Sequence, residues 1–361
     1  MRRLRNILSL MVCVATLSGC MGWIGPASIK SDRNSYNTSI QKSDNEQLLL
    51  NLVRLKYRDT PFFLEVSGIA SQFTISADAS LSATLQKGDY GIFGPKAGML
   101  LKESPTVTYS PLQGEQFIQR FLSQIPIDHL YLLYKSGWSI ERVMRIAIQQ
   151  IGPLKNAPNA SGPTPKKAPE FEAFVQVIRL IRHFQVEGLL SVSLSGEIDS
   201  RKLTFKIDPS AEQSEELKQL RAHLKLPEGA LAFSLGHAAN DPSFGEFTVE
   251  TRSLLGIMYY LSHAVETPQA DAELGNVTLT VKADGTPFDW KKMSGDLLNV
   301  RTQESSPDNP AVSVKYGDNW FYISQSDLDS KSTFSLLGQI FSLQAGNAKS
   351  GAPLLTLPVG N

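Results

Sequence analysis

Ile69-Ala-Ser-Gln-Phe-Thr-Ile-Ser-Ala-Asp-Ala-Ser-Leu-Ser-Ala-Thr-Leu85 is the most regular pattern in the chain. Its odd positions run Ile, Ser, Phe, Ile, Ala, Ala, Leu, Ala, Leu, and its even positions are almost all polar: Gln72, Thr74, Ser76, Asp78, Ser80, Ser82 and Thr84. Period two means a strand with one apolar face. Fully extended at roughly 3.3 Å per residue it reaches about 56 Å, well beyond an ordinary strand. The glycine-rich stretch Gly88 to Gly98 allows the chain to return through Thr106-Val107-Thr108-Tyr109, so the expectation is a long amphipathic β-hairpin in the N-terminal half. Two uses suit it. A bent hairpin can cover one domain core, or each chain can contribute a hairpin to a multi-chain sheet or barrel, since about 9 to 11 alternating residues cross an outer membrane.

Upstream, Ser43-x-x-Glu46 has the form of a capping box, and Leu48, Leu49, Leu52, Val53 and Leu55 follow at helical spacing until Asp59-Thr60-Pro61. Arg54, Lys56 and Arg58 crowd the end of this helix, where its dipole favours cations. Residues 20–42, rich in Ser, Asn and Gly, are expected to be a tether. Before them stand Arg2, Arg3 and Arg5, an apolar run from Ile7 to Leu17, and Leu17-Ser18-Gly19-Cys20. This is the order of a bacterial lipoprotein signal: residues 1–19 are removed and Cys20 carries the lipid. The apolar run is shorter than the roughly 18 to 20 residues of a spanning helix. Met21 rather than Asp follows the cysteine, which in lipoproteins of this type permits transfer to the outer membrane. The expected location is therefore lipid-anchored at the outer membrane and facing the periplasm.

Downstream of Pro111 the pattern turns helical: Phe117 to Ile125, Ile127 to Tyr134, and a helix capped by Ser139. Residues 153–169 collect five prolines with polar residues and read as a linker between an N-terminal domain, 43–152, and a C-terminal domain, 170–361. In the latter, helices are expected at 171–185, 211–224, 252–264 and 330–343. Strands are expected at 190–195, 203–207, 231–235, 246–250, 277–281, 312–314 and 320–323, the last two joined by a tight turn at Gly317-Asp318. The fold class is α+β, helices packed on largely antiparallel sheet.

Composition excludes several function classes. Removal of 1–19 leaves 32 basic against 35 acidic residues, a formal charge of −3, too weak a field for nucleic acid. With Cys13 in the leader and Cys20 lipidated, no thiol remains in the folded region, so a cysteine nucleophile is impossible and stability rests on the 42% apolar content. His129, His183, His223, His237 and His263 are scattered, without HExxH or His-x-His, so no metal is expected. There is no Gly-x-Ser-x-Gly. Ser39-x-x-Lys42 lies in the tether, and Gly88 to Gly94 lacks the spacing of a phosphate cradle. Asp327-Leu328-Asp329 precedes a helix and reads as capping rather than calcium binding. Glu187, Glu197 and Asp199 make a hydrolytic pair only if two meet within about 5 to 10 Å across a cleft.

Asn45-Glu-Gln-Leu-Leu-Leu-Asn-Leu-Val-Arg-Leu-Lys-Tyr-Arg-Asp-Thr-Pro-Phe-Phe-Leu-Glu-Val66, Thr106-Val-Thr-Tyr-Ser-Pro-Leu-Gln-Gly114, Arg252-Ser-Leu-Leu and Asp327-Leu-Asp-Ser-Lys-Ser-Thr-Phe334 through Gln344 resemble a family of uncharacterised Gram-negative bacterial lipoproteins. The resemblance spans most of the mature chain. It implies the cellular address and carries no activity, cofactor or catalytic residue. The expected function is a non-enzymatic binding or assembly component of a cell-envelope complex, attached to the membrane through Cys20 and meeting an envelope protein or further copies of itself. The alternatives are a homo-oligomeric channel or export component with one hairpin per chain, and a hydrolase of the cell wall or envelope glycans.

Overall fold

The computed structural model describes residues 24–84, 92–112, 114–197, 200–237, 245–345 and 355–358. The class is α+β. Its largest sheet has six strands: β3 (Ile148–Ile151), β4 (Leu154–Lys155), β5 (Leu190–Ser195), β6 (Lys202–Ile207), β7 (Ala232–Gly236) and β8 (Glu246–Thr251). Their order is β4-β3-β8-β7-β6-β5, with β7 and β8 the parallel pair and the remaining neighbours antiparallel. Inward positions alternate as the pleat demands: Leu203, Phe205 and Ile207 are buried on β6, Phe247 and Val249 on β8. A second sheet, β9 (Arg301–Gln303), β10 (Pro310–Tyr316) and β11 (Asn319–Ser324), turns at Gly317, whose φ of 57° suits glycine.

The helices are α1 (Ile24–Lys56), α2 (Glu115–Leu122), α3 (Ile127–Lys135), α4 (Ile140–Ala147), α5 (Glu172–Val186), α6 (Glu215–Leu224), α7 (Leu254–Ser262), α8 (Gln269–Glu273), α9 (Lys291–Ser294) and α10 (Leu328–Ala345). Ser139, Ser214 and Ser253 cap α4, α6 and α7 by accepting from the backbone N–H three residues on. One apolar core runs from Leu48 to Ile340 and draws on all parts of the body.

Three expectations need correction. The first concerns the tether: α1 begins at Ile24, and Ser43 and Glu46 lie within it. Residues 34–44 are mostly exposed and gain a Lys42–Glu46 pair at 3.9 Å. The second concerns 153–169, which is packed: Asn156, Ala157, Ala160 and Thr164 are buried. The Asn156 side-chain amide donates to the carbonyls of Arg145 (2.8 Å) and Ile148 (2.6 Å), and Ala157, held at φ 48°, donates its N–H to Glu170 O at 2.8 Å. Val281 N–H donates to Lys166 O, and Ala168 N–H to Val281 O, both at 2.9 Å. Prolines here shape a buried loop. The third concerns 277–281: among the described residues it makes isolated bridges at Val281, to Lys167 and Pro287, with Leu279 exposed.

The backbones of β1 (Leu64–Thr84) and β2 (Ile92–Pro111) are extended and paired antiparallel, from Leu64 opposite Pro111 to Thr84 opposite Ile92, with an irregularity at Val66–Gly68. β12 (Leu355–Pro358) pairs with Thr106–Tyr109 of β2. The turn at 85–91 and the side chains of 67–107 lie outside the described residues.

Candidate functional site at the foot of the β1–β2 ribbon

Leu48, Leu49, Leu52, Val53 and Leu55 bury the apolar stripe of α1 in the core. On the neighbouring stripe stand Gln47 and Asn51, one turn apart. Asn51 Oδ1 accepts from Phe62 N–H (2.9 Å) while its Nδ2 donates to Phe62 O (2.8 Å). Gln47 repeats the arrangement on Leu64, with Oε1 accepting at 2.5 Å and Nε2 donating at 2.9 Å. Two amides thus act on the incoming strand as a neighbouring strand would. The spacing permits it, because four helical residues rise about 6 Å and two strand residues about 6.6 Å. Between the two clamped positions Phe63 is 4% exposed and packs on Phe341 (4.9 Å between centroids), Phe121 (5.7 Å) and Phe117 (6.4 Å). The foot of the ribbon is therefore fixed to α1, α2 and α10 together.

Beside it lies a groove of about 1180 Å3 between the exposed part of α1, the start of β1, α3 and α10. Its floor is apolar, with Leu48, Phe63, Leu133 and Phe334, and Asn37, Gln41, Asp44, Glu65 and Gln339 add polar groups. Partial desolvation against the groove, and then the Glu65 carboxylate, raise the Asp44 carboxyl above the usual range, although the residue stays exposed. The groove's far wall is held by α10, where Asp327 accepts from Ser330 N–H (3.0 Å), Asp329 meets Arg142 (2.7 Å) and Gln339 accepts from the Trp138 indole (2.9 Å). The Asp327-Leu328-Asp329 pair is thereby placed at the start of a helix.

A second polar cluster lies inside the body. Arg252, 1% exposed, donates to the carbonyls of Ile148 (2.6 Å), Arg145 (3.2 Å), Ile146 (3.3 Å) and Asn156, and through Nε to Ser161 Oγ (2.9 Å). The Tyr260 ring lies 4.0 Å from its guanidinium carbon. Every nitrogen is engaged, and the carbonyls at the end of α4 supply the negative potential, so Arg252 pins the body. Arg145 holds Asp296 through both of its terminal nitrogens (2.7 and 2.8 Å) and also reaches Glu141 (3.0 Å). Next to these, burial lowers the Lys56 ammonium to about 8, and burial with the Lys56 charge lowers His263, stacked 4.1 Å from Trp290, to about 3.

The other sequence candidates do not converge. Cys20 and Asp199 lie outside the described residues, Glu187 and Glu197 are exposed at different ends of one strand connection, and Ser39 and Lys42 are exposed on α1. Among the described residues no three His, Cys, Asp or Glu gather in a way that could hold a metal ion. No helix among them is long and apolar enough to cross a membrane. Gln47 and Asn51 were legible only as polar residues on a helix; their one signal is the i, i+4 repeat of amides immediately ahead of a strand. Compared with family models, with curated proteins and with solved structures, the chain matches none.

Proposed function

We propose that this protein is a lipid-anchored, periplasm-facing assembly component of the cell envelope, non-enzymatic, held at the outer membrane through Cys20. The reading is carried by one observation: among the described residues the paired strands β1 and β2, about twenty residues each, have no strand neighbour beyond one another except β12, which meets β2 at Thr106–Tyr109. A ribbon with two open edges invites another chain. Its rigidly clamped foot supports the same reading, since a partner pulling on the ribbon acts on the whole body.

The test is the size of the lipidated protein extracted from membranes in mild detergent. An assembly larger than one chain, by light scattering and by crosslinking in intact membranes, is the expected result. A monomer at every concentration overturns the reading.

A second reading, hydrolysis of an envelope glycan, has Asp44 and Glu65 in its favour, because such hydrolysis uses two neighbouring carboxyl groups and the Asp44 carboxyl is raised in part by Glu65. Both carboxylates are exposed at the rim, where water screens them, which makes this the weaker reading. Asp44→Asn with unchanged assembly and lost glycan cleavage would reverse that preference.

A further inference from the structure

The register of β1 and β2 adds what the alternation of one strand does not contain, namely which residues of the second strand share each face. Directly opposed residues lie on the same side of a ribbon. Ile75 opposes Leu101, Ala77 opposes Met99, Ala79 opposes Ala97, Leu81 opposes Pro95 and Ala83 opposes Phe93. One face over residues 75–84 and 92–101 is therefore made of apolar residue types alone. On the other face Thr74 opposes Lys102, Ser76 opposes Leu100, Asp78 opposes Gly98, Ser80 opposes Lys96 and Ser82 opposes Gly94. Leu100, and Ile92 opposite Thr84, are the departures on that side; Ser71 and Glu103, which depart on the apolar side, fall nearer the foot. Ten residues per strand, oil-like on one side and water-like on the other, is the length and pattern of a strand pair crossing an outer membrane.

The foot sets the direction. Going from Asn51 back to Gln47 along α1 corresponds to going from Phe62 forward to Leu64 along β1. The ribbon therefore leaves the body toward the same side as the N-terminal end of α1. From Gln47 to Ile24 the helix covers about 35 Å at 1.5 Å per residue, which β1 matches in about ten residues, near position 75. The two-faced section thus starts at the level where α1 begins, four residues from Cys20.

The edges set the partner. A two-stranded ribbon in lipid leaves backbone N–H and C=O groups unpaired, which a bilayer does not tolerate. β1 has β2 as its sole strand neighbour among the described residues, and β2 is joined by β12 at Thr106–Tyr109, below the two-faced section. Another copy of this chain presents the complementary edges. If β1 of one copy pairs with β2 of the next, all strands alternate in direction, each copy adds two, and a head-to-tail contact of this kind gives a ring when the rotation from copy to copy closes.

We propose that copies of this chain form a closed ring whose β1–β2 ribbons pair edge to edge into a membrane-crossing β-barrel, with the ribbon face to which the register assigns positions 78, 96 and 102 lining a water-filled pore. This rests on the assembly reading above and names its partner.

The lack of a thiol in the folded region makes the test direct. Full-length chains carrying Thr74→Cys alone are co-expressed with chains carrying Lys102→Cys alone, and Ser80→Cys with Lys96→Cys likewise, and membranes are oxidised. A disulfide linking the two chain types is expected for at least one pair, and none for chains carrying a single type of β1 cysteine. Purified lipidated protein in vesicles is expected to conduct ions. Ala79→Lys, on the apolar face, is expected to abolish conductance while the body melts as before; Ser80→Lys, on the polar face, is expected to keep conductance and shift selectivity toward anions. An assembly without cross-strand disulfides or conductance overturns the ring and leaves the assembly reading standing with a different partner. A monomer overturns both.

Discussion

Asn51 is fully buried, and both hydrogen-bonding groups of its amide are spent on one residue of another segment. Asn51→Leu keeps the volume and leaves the N–H and C=O of Phe62, a residue 42% exposed, without their partner, at a cost toward the low end of the about 1–3 kcal/mol of an unpaired buried group. Thermal unfolding should register that loss, and Gln47→Leu, on the wetter rung, should lose less. Lys56 offers a pH test. Its folded value of about 8 lies below the ordinary 10.5, so between those values the unfolded chain binds more protons and stability rises with pH. Below about pH 8 the full penalty applies, about 3 kcal/mol by linkage. Lys56→Met should be the more stable protein at neutral pH, with the gap narrowing by pH 10, above which Tyr316, pushed up to about 12, brings an opposite trend. His263 has the same sign lower down: its value of about 3 against 6.5 means that stability falls as pH drops through that interval. Denaturant midpoints between pH 4 and pH 10 check both, and a flat profile for the wild-type protein contradicts them.

At the scale of elements, 153–169 is the instructive case. Lys166 and Lys167 sit in a proline-rich stretch that a protease would be expected to cut first, yet the backbone there bonds to Val281 and Thr280 Oγ1 donates to Pro165 O at 2.6 Å. Trypsin should leave the Lys166–Ala168 region intact until the body unfolds as a unit; an early cut there giving two stable fragments would contradict the packing. Composition alone cannot distinguish such a loop from a linker, because the contacts that order it come from residues a hundred positions away. The same reason hid the role of Arg252. The elements themselves were largely legible: α5, the β5–β6 pair, β7, β8, α7, the β10–β11 turn and α10 all follow from period and punctuation within a residue or two at most ends. The start of α1 was not, since the mostly exposed residues 34–44 carry no apolar stripe whose period could be read back toward it. Of the candidate site, Leu48 and Phe63 were legible as apolar. The clamp was not, because an amide that pairs with a backbone looks on paper like any surface glutamine or asparagine.

For the whole molecule, a single core reaching from Leu48 to Ile340 joins the foot of the ribbon, the six-stranded sheet and α10. The body should therefore unfold in one transition, and ribbon substitutions such as Ala79→Lys should leave that transition where it was. Attachment is a separate matter. Cys20→Ser should abolish fatty-acid labelling and release the protein from membranes, and retained label on that variant would refute the anchor. The amide clamp has a mechanical consequence. A pull outward along the ribbon loads the Gln47 and Asn51 pairs together, in shear, whereas a sideways push on the tip opens them in turn, Leu64 before Phe62. The joint is therefore stiff against extraction and compliant against tilting. Single-molecule pulling from the tip should give a higher rupture force along the strand axis than across it, and Asn51→Leu should lower the axial force toward the lateral one.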